Sequence, residues 1–270
     1  MVYTDQLNRK IELSSPPKRI ISLVPSQTEL LYDLGLRDEV VGITKFCIHP
    51  EEWFRSKTRV GGTKKYDFEK IKALQPDLII GNKEENEEEQ IRALMQDYKV
   101  WMSDIYNLKD ALGMIASFGP LLGKNTEATN IKLEIEARFH RFNQLKDVTP
   151  SGAEGHPIKA AYFIWRNPYM AAGTHTFIDS MLSTCGFRNA FQSTRYPEVS
   201  AEQIKAANPE LVLLSSEPYP FADKHVEEFR VLCPDAKILV VDGELFSWYG
   251  SRLLQAPDYF RQLLDKIASL

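Results

Sequence analysis

Apolar residues along this chain follow two rhythms. Short continuous runs, such as Leu78-Ile79-Ile80 and Leu211-Val212-Leu213-Leu214, alternate with stretches whose apolar positions recur every three or four residues. A run that is apolar on both sides needs cover on both faces, as in a parallel sheet flanked by helices. Strands are expected at residues 19–25, 40–44, 77–81 and 99–103 in the first half, and at 159–165, 210–215 and 237–242 in the second. Helices fit between them. Ser26-Gln27-Thr28-Glu29 reads as a capping box opening a helix that ends near Gly35. The class is α/β.

The middle departs from this alternation. Residues 107–146 show only helical pattern, interrupted near Gly119-Pro120 and Gly123. Ala128, Ile131, Ile135 and Phe142 form one apolar stripe on a helix over residues 125–145. Such a helix is about 30 Å long, roughly one small domain across. Residues 149–155, with Pro150, Gly152 and Gly155, read as a surface loop. The expected organisation is an N-terminal α/β lobe over residues 1–106, a connecting helical backbone over 107–147, and a C-terminal α/β lobe over 148–270. The halves also resemble each other. Residues 67–80 lie on 200–213 without a gap, and each stretch reads as a helix, a proline stop and a buried strand. Duplication into two equivalent lobes accounts for this better than chance.

Composition narrows the function. Of 270 residues, 43% are hydrophobic and 26% charged, a globular profile, and the formal charge of −4 argues against a nucleic-acid groove. No apolar run approaches the roughly 20 residues needed to cross a bilayer. The first residues lack a secretory signal, which leaves two expectations: an extracytoplasmic protein whose signal lies outside this sequence, or a cytoplasmic one. Cys47, Cys185 and Cys233 have no C-x-x-C spacing, so a zinc ribbon or a disulfide framework is not expected.

Ligands of parallel α/β sheets collect beyond the carboxyl ends of the strands. The loops there hold Phe46, Cys47 and His49, then Gly61-Gly62-Thr63 with Tyr66, and Asn82, Lys83 and Asn86. The second half adds Trp165, Tyr169, Tyr196, Phe246, Trp248 and Tyr249. Each aromatic ring can bury about 150–250 Å², so a few suffice to hold a large planar guest. His49 could meet a ligand's metal as an axial group or a polar edge, or simply form a local hydrogen bond beside Pro50. His140 and His225 are expected in solvated or capping roles. No G-x-S-x-G, P-loop or G-x-G-x-x-G follows a strand, and Gly61-Gly62-Thr63 is too short for a phosphate cradle. A binding protein is expected rather than an enzyme, with no catalytic residue and no required cofactor.

Residues 19–31, R-I-I-S-L-V-P-S-Q-T-E-L-L, and the stretch Phe68-Glu69-Lys70-Ile71 through Pro76-Asp77-Leu78-Ile79-Ile80 resemble the cobalamin- and siderophore-type solute-binding proteins of ABC importers, over nearly the whole chain. The resemblance implies two Rossmann-like lobes with mainly parallel sheets, joined by one long rigid helix, with the ligand between them. It is strongest to the vitamin B12-binding branch, whose ring-flanking aromatics match Phe46, Trp165 and Tyr196. Thr63 stands where that branch carries a tryptophan, and Tyr66 could substitute. The implied ligand is therefore a corrinoid, with haem or a ferric siderophore as the alternative. The implied partner is a permease dimer with its ATPase subunits, docked through Glu69 and Glu202, the two glutamates that coincide in the repeat. The protein is expected to be monomeric.

Overall fold

A computed structural model describes residues 1–145 and 156–270; the loop expected at 149–155 lies outside the described residues. The chain divides into two compact units. The first comprises Met1–Glu136 with Trp248–Leu254, and the second Ala137–Ser247 with Gln255–Leu270.

The first unit opens with an antiparallel hairpin of β1 (Val2–Thr4) and β2 (Lys10–Glu12). Then follow β3 (Ile20–Ser22), α1 (Pro25–Asp33), β4 (Val40–Ile43), α2 (Glu51–Ser56), β5 (Thr58–Arg59), α3 (Phe68–Leu74), β6 (Leu78–Asn82), α4 (Glu88–Asp97), β7 (Val100–Ser103) and α5 (Leu108–Leu122). Its sheet is wholly parallel, in the order β5-β4-β3-β6-β7. Ile21, Ile79 and Val100 pack on one face of it against Ile71, Ile91 and Leu94 from α3 and α4. The double-sided apolar runs are thus explained: helices shield the strands from water.

α6 (Asn125–Leu145) passes from the first unit to the second. Ala128, Ile135, Phe139 and Phe142 are its buried positions, so Phe139 joins the stripe expected there. The second unit continues with β8 (Lys159–Trp165), β9 (Tyr169–Ala171), α7 (Phe177–Thr184), β10 (Arg188–Asn189), β11 (Glu198–Val199), α8 (Ala201–Ala207), β12 (Leu211–Ser215), α9 (Val226–Leu232), β13 (Lys237–Val241), α10 (Gly243–Ser247) and α11 (Ala256–Ser269). β10, β8, β12 and β13 pair in parallel, while β9 and β11 extend the sheet antiparallel. The two sheets are separate.

Two local expectations are corrected. The strand at 19–25 stops at Ser22, and Pro25 begins α1 with Val24 as its cap residue, so Ser26 lies inside the helix and caps nothing there. Proline's fixed φ and missing N–H suit the first helical position, and that sets the start. Nor is the helical segment interrupted at Gly119-Pro120. α5 runs through Pro120 to Leu122 and ends at Gly123, whose φ of 70° makes the left-handed C-terminal turn.

The internal repeat extends to individual hydrogen bonds. The Asp67 side chain caps α3 and the Ser200 side chain caps α8, the latter in a full capping box with Gln203. Both helices end in a left-handed residue, Gln75 at φ 44°, ψ 59° and Asn208 at φ 43°, ψ 63°. The Asp77 carboxylate then accepts from the backbone N–H of Lys18 and Arg19, as Glu210 does from that of Lys159. Even the latch on the helix end recurs: Arg19 donates to the Leu74 carbonyl, and the Lys159 ammonium to that of Ala207. A left-handed conformation costs a non-glycine residue roughly 1–2 kcal/mol, partly offset by glycine's greater entropy loss. Gln75→Gly should therefore stabilise the fold by about 0.5 kcal/mol. Asn208→Gly should gain less, since asparagine tolerates the region better. Urea midpoints of the two variants test this order.

Candidate functional site

In the first unit, the loops after β4 and β5 are knitted together. The Lys45 N–H donates to the Gly61 carbonyl, and Gly62 N–H to that of Lys65. Gly61, at φ 119°, turns the chain where an added Cβ would lie 2.4 Å from the Lys65 oxygen. The Thr63 carbonyl accepts from Tyr66 Oη at 2.6 Å and from Asn86 Nδ2 at 3.0 Å, which pins the loop from below. Above it stands Phe46, 50% exposed, with the Lys45 ammonium 5.0 Å from its ring centre.

Cys47, expected at the ligand surface, is fully buried. Its thiol lies 3.1 Å from both Thr28 Oγ1 and Thr44 Oγ1, and burial pushes its pKa up to about 11. It anchors the loop that presents Phe46. His49 is half-buried, its ring edge-on to Trp248 at 5.6 Å. Tyr66 is buried as well, and desolvation, with the charges of Glu85 and Glu87 adding to it, raises its pKa. Asn82 and Asn86 are interior staples, while Lys83 is held by Asp104 at 2.8 Å and Tyr106 at 3.3 Å. The acidic run at 84–89 leads into α4, with Glu88 and Glu89 in its first turn, where carboxylates suit the positive end of the helix dipole.

The aromatic segment near the C-terminus splits. Phe246 stays in the second unit, fully buried against Tyr162, Tyr259 and Phe260, so it is a core ring and not a ligand platform. Trp248 and Tyr249 belong to the first unit. Tyr249 Oη donates to Glu85 at 2.5 Å, and its pKa stands well above the usual value because of burial and then the Glu85 charge. Ser251 hydrogen-bonds Asp33, and Arg252 grips both Glu29 oxygens at 3.0 and 2.6 Å while lying over Trp248. Gly250 allows this packing: a Cβ there would come 2.4 Å from the Ser26 carbonyl oxygen.

In the second unit, Trp165 ends β8 with 39% of its surface exposed. Its ring meets that of Tyr219 edge-on at 5.7 Å. Tyr219 follows the carboxyl end of the neighbouring parallel strand β12, a position that sequence reasoning passes over although that loop is the natural counterpart of the one after β8. Below Tyr219 lies His225, whose Nδ1 accepts the Ala222 N–H at 2.9 Å in the capping role expected of it. Nδ1 is thereby an acceptor, which leaves Nε2–H to face Tyr219 Oη at 3.3 Å. Arg166 binds Glu228 at 2.7 Å, and Tyr169 Oη donates to the same carboxylate. Tyr196 is half-buried. His140 is exposed and pairs with Gln144.

Glu69 and Glu202 sit at the second position of α3 and α8, both exposed. The Ser200 hydroxyl, at 2.7 Å, holds the Glu202 carboxyl below its usual pKa. Among the described residues no three His, Cys, Asp or Glu side chains gather as a metal set, and no helix is long and apolar enough to cross a membrane.

A profile of the periplasmic binding proteins matches residues 20–231. A vitamin B12-binding protein of Photorhabdus laumondii is 27% identical over 261 residues, covering 94% of this chain and 90% of its own. One from Yersinia pestis is 29% identical, covering 94% and 87%. Among solved structures, the periplasmic vitamin B12 binding protein of Vibrio cholerae aligns with a TM-score of 0.76 at 22% identity, over 94% of this chain and 98% of its own. A periplasmic heme binding protein from Pseudomonas aeruginosa aligns with a TM-score of 0.79 at 21% identity, over 92% of each. These structures share the fold seen here, two α/β lobes with parallel sheets. The chain belongs to the periplasmic binding protein family, whose members bind substrates rather than transform them.

Proposed function

We propose that this protein is the solute-binding component of an ABC importer, which captures a corrinoid or another large metal chelate outside the cytoplasmic membrane and hands it to a permease dimer with its ATPase subunits. One observation carries the reading: each unit presents a large exposed ring, Phe46 in the first and Trp165 in the second, beside the carboxyl ends of its parallel strands. Exposed aromatic faces attract a planar guest by desolvation and stacking. The B12-binding relatives support the corrinoid. Haem or a ferric siderophore is the second reading, favoured by Thr63 in place of a flanking aromatic and by fold neighbours that bind heme. The protein works as a monomer and needs no cofactor of its own; the metal arrives inside the cargo. Titration with cyanocobalamin, cobinamide, haemin and ferric siderophores, followed by calorimetry and tryptophan quenching, tests the proposal. Micromolar or tighter binding of one class is expected, and failure of all four overturns it.

Docking would fall to Glu69 and Glu202, which occupy equivalent exposed positions in the repeat. A single exposed ion pair is worth about 0–1 kcal/mol, but like charges brought together at an interface cost several. Glu69→Lys with Glu202→Lys is therefore expected to abolish permease capture in a pull-down while chelate affinity stays within about twofold. Normal capture by the double variant would remove these residues from the docking surface.

A further inference from the structure

The loop that follows β12 is fixed beside the end of β8. The Tyr219 N–H donates to the Ile164 carbonyl at 3.4 Å, and the Tyr219 carbonyl accepts from the Phe221 N–H at 2.8 Å. Two serines hold Glu217 just upstream: Ser215 Oγ donates to its carbonyl at 2.5 Å and Ser247 Oγ to its carboxylate at 2.7 Å. Buried Phe221 and His225 support the half-buried Tyr219 ring edge-on, at 4.8 and 5.5 Å between ring centres. Exposed Trp165 leans on the same ring at 5.7 Å.

The Tyr219 hydroxyl has donors for neighbours. His225 Nδ1 is filled by the Ala222 N–H, so Nε2 carries a hydrogen and gives it to Tyr219 Oη at 3.3 Å. The other polar neighbour is Arg166, whose guanidinium can only donate. Hydrogen bonds to Glu228 and then to Tyr219 hold that guanidinium above its usual pKa. A phenol oxygen that accepts from its neighbours must turn its own hydrogen elsewhere, and among the described residues no protein atom receives it. Tyr162 and Tyr169 differ, since they spend their hydrogens inside, on Ser215 and Glu228. Tyr259 also accepts, from the Asp242 N–H, but it packs on Phe246 and Phe260 and not beside an exposed ring.

We infer that Tyr219 is a binding residue of the second unit, whose hydroxyl donates to an oxygen acceptor on the rim of a guest lying on Trp165. The inference rests on the proposed function and adds a specificity contact to it. Coverage by the Trp165 ring suits any flat guest, whereas a directed O–H selects one with a carbonyl-type oxygen at its edge. Such a hydrogen bond changes affinity by roughly tenfold at most. The loop is pinned before the guest arrives, so little ordering entropy opposes the contact.

Two changes at this one position test the hydroxyl apart from the ring. Tyr219→Phe keeps the contacts with Trp165, Phe221 and His225 and removes only the hydroxyl. Cyanocobalamin, cobinamide, haemin and a ferric siderophore are the probes, and each that binds the parent protein is titrated calorimetrically into the variants. Affinity in Tyr219→Phe should fall roughly fivefold. Difluorotyrosine at position 219, fluorinated on both sides of the hydroxyl, is a stronger donor and a weaker acceptor. At mildly acidic pH, where the fluorinated phenol keeps its hydrogen, it should bind the same chelate roughly twofold tighter than tyrosine does. Circular dichroism and the unfolding midpoint establish that both proteins fold as the parent does. Unchanged affinity in Tyr219→Phe marks a purely structural tyrosine, and equal or weaker binding with difluorotyrosine marks one that does not donate. Either result overturns the inference while leaving the chelate-binding role intact. If no probe binds the parent, the proposed function fails and the inference falls with it.

Discussion

Arg252→Ala is expected to destabilise the protein by about 3 kcal/mol, the usual cost of leaving one partner of a largely buried ion pair without the other. The side chains of Arg252 and Glu29 are only 13% and 15% exposed, and both guanidinium–carboxylate contacts are short. Removing the arginine strands Glu29 on α1 and also strips cover from the Trp248 ring. Urea denaturation read by tryptophan fluorescence measures the loss. Replacing both residues with methionine should recover most of it, because apolar groups of similar volume need no charge partner. If Arg252→Ala shifted the unfolding free energy by less than about 1 kcal/mol, the segment would be a loose surface strap and not part of the first unit's structure.

Trp165→Ala is expected to weaken chelate binding by about 2 kcal/mol, or roughly thirtyfold. Covering one face of an indole removes about 100 Å² of apolar surface from water, and stacking adds to that. Trp165→Phe should retain most of the affinity. The substitution should scarcely alter stability, since the ring is 39% exposed and leans on Tyr219 by one edge. Calorimetry on the purified variant decides the matter, and affinity within twofold of the parent would take Trp165 out of the site.

Seven strands of the two sheets were readable because a parallel sheet demands apolar residues on both faces, which leaves the runs at 78–80 and 211–214 in plain view, whereas β5, β9, β10 and β11, of two or three residues each, carry no such run. Single-residue chemistry at the element ends was less readable. Ser26-Gln27-Thr28-Glu29 has the spacing of a capping box, yet the helix starts at Pro25, two residues before a Ser26 cap would start it, and Glu29 serves Arg252, more than two hundred residues away. The aromatic platform shows the same limit. Phe46, Trp165 and Phe246 look alike as rings in strand-end loops, but only Phe246 meets Tyr162 and Phe260, partners brought up by folding. Cys47 likewise shares a loop with Phe46 and points the other way, into the Thr28 and Thr44 hydroxyls. Periodicity specifies which elements form; which side of a loop a residue faces depends on neighbours remote in the chain.

The passage of Trp248–Leu254 into the first unit bears on how such a molecule can be divided. An N-terminal fragment ending at Glu136 would contain every strand of its sheet and still lack the seven residues that satisfy Glu29, Asp33 and Glu85. A C-terminal fragment would carry those residues with nothing to receive them. The halves repeat one another down to their helix caps, yet neither is a self-sufficient module. Any scheme of lobe exchange between relatives must move this late segment together with the early half.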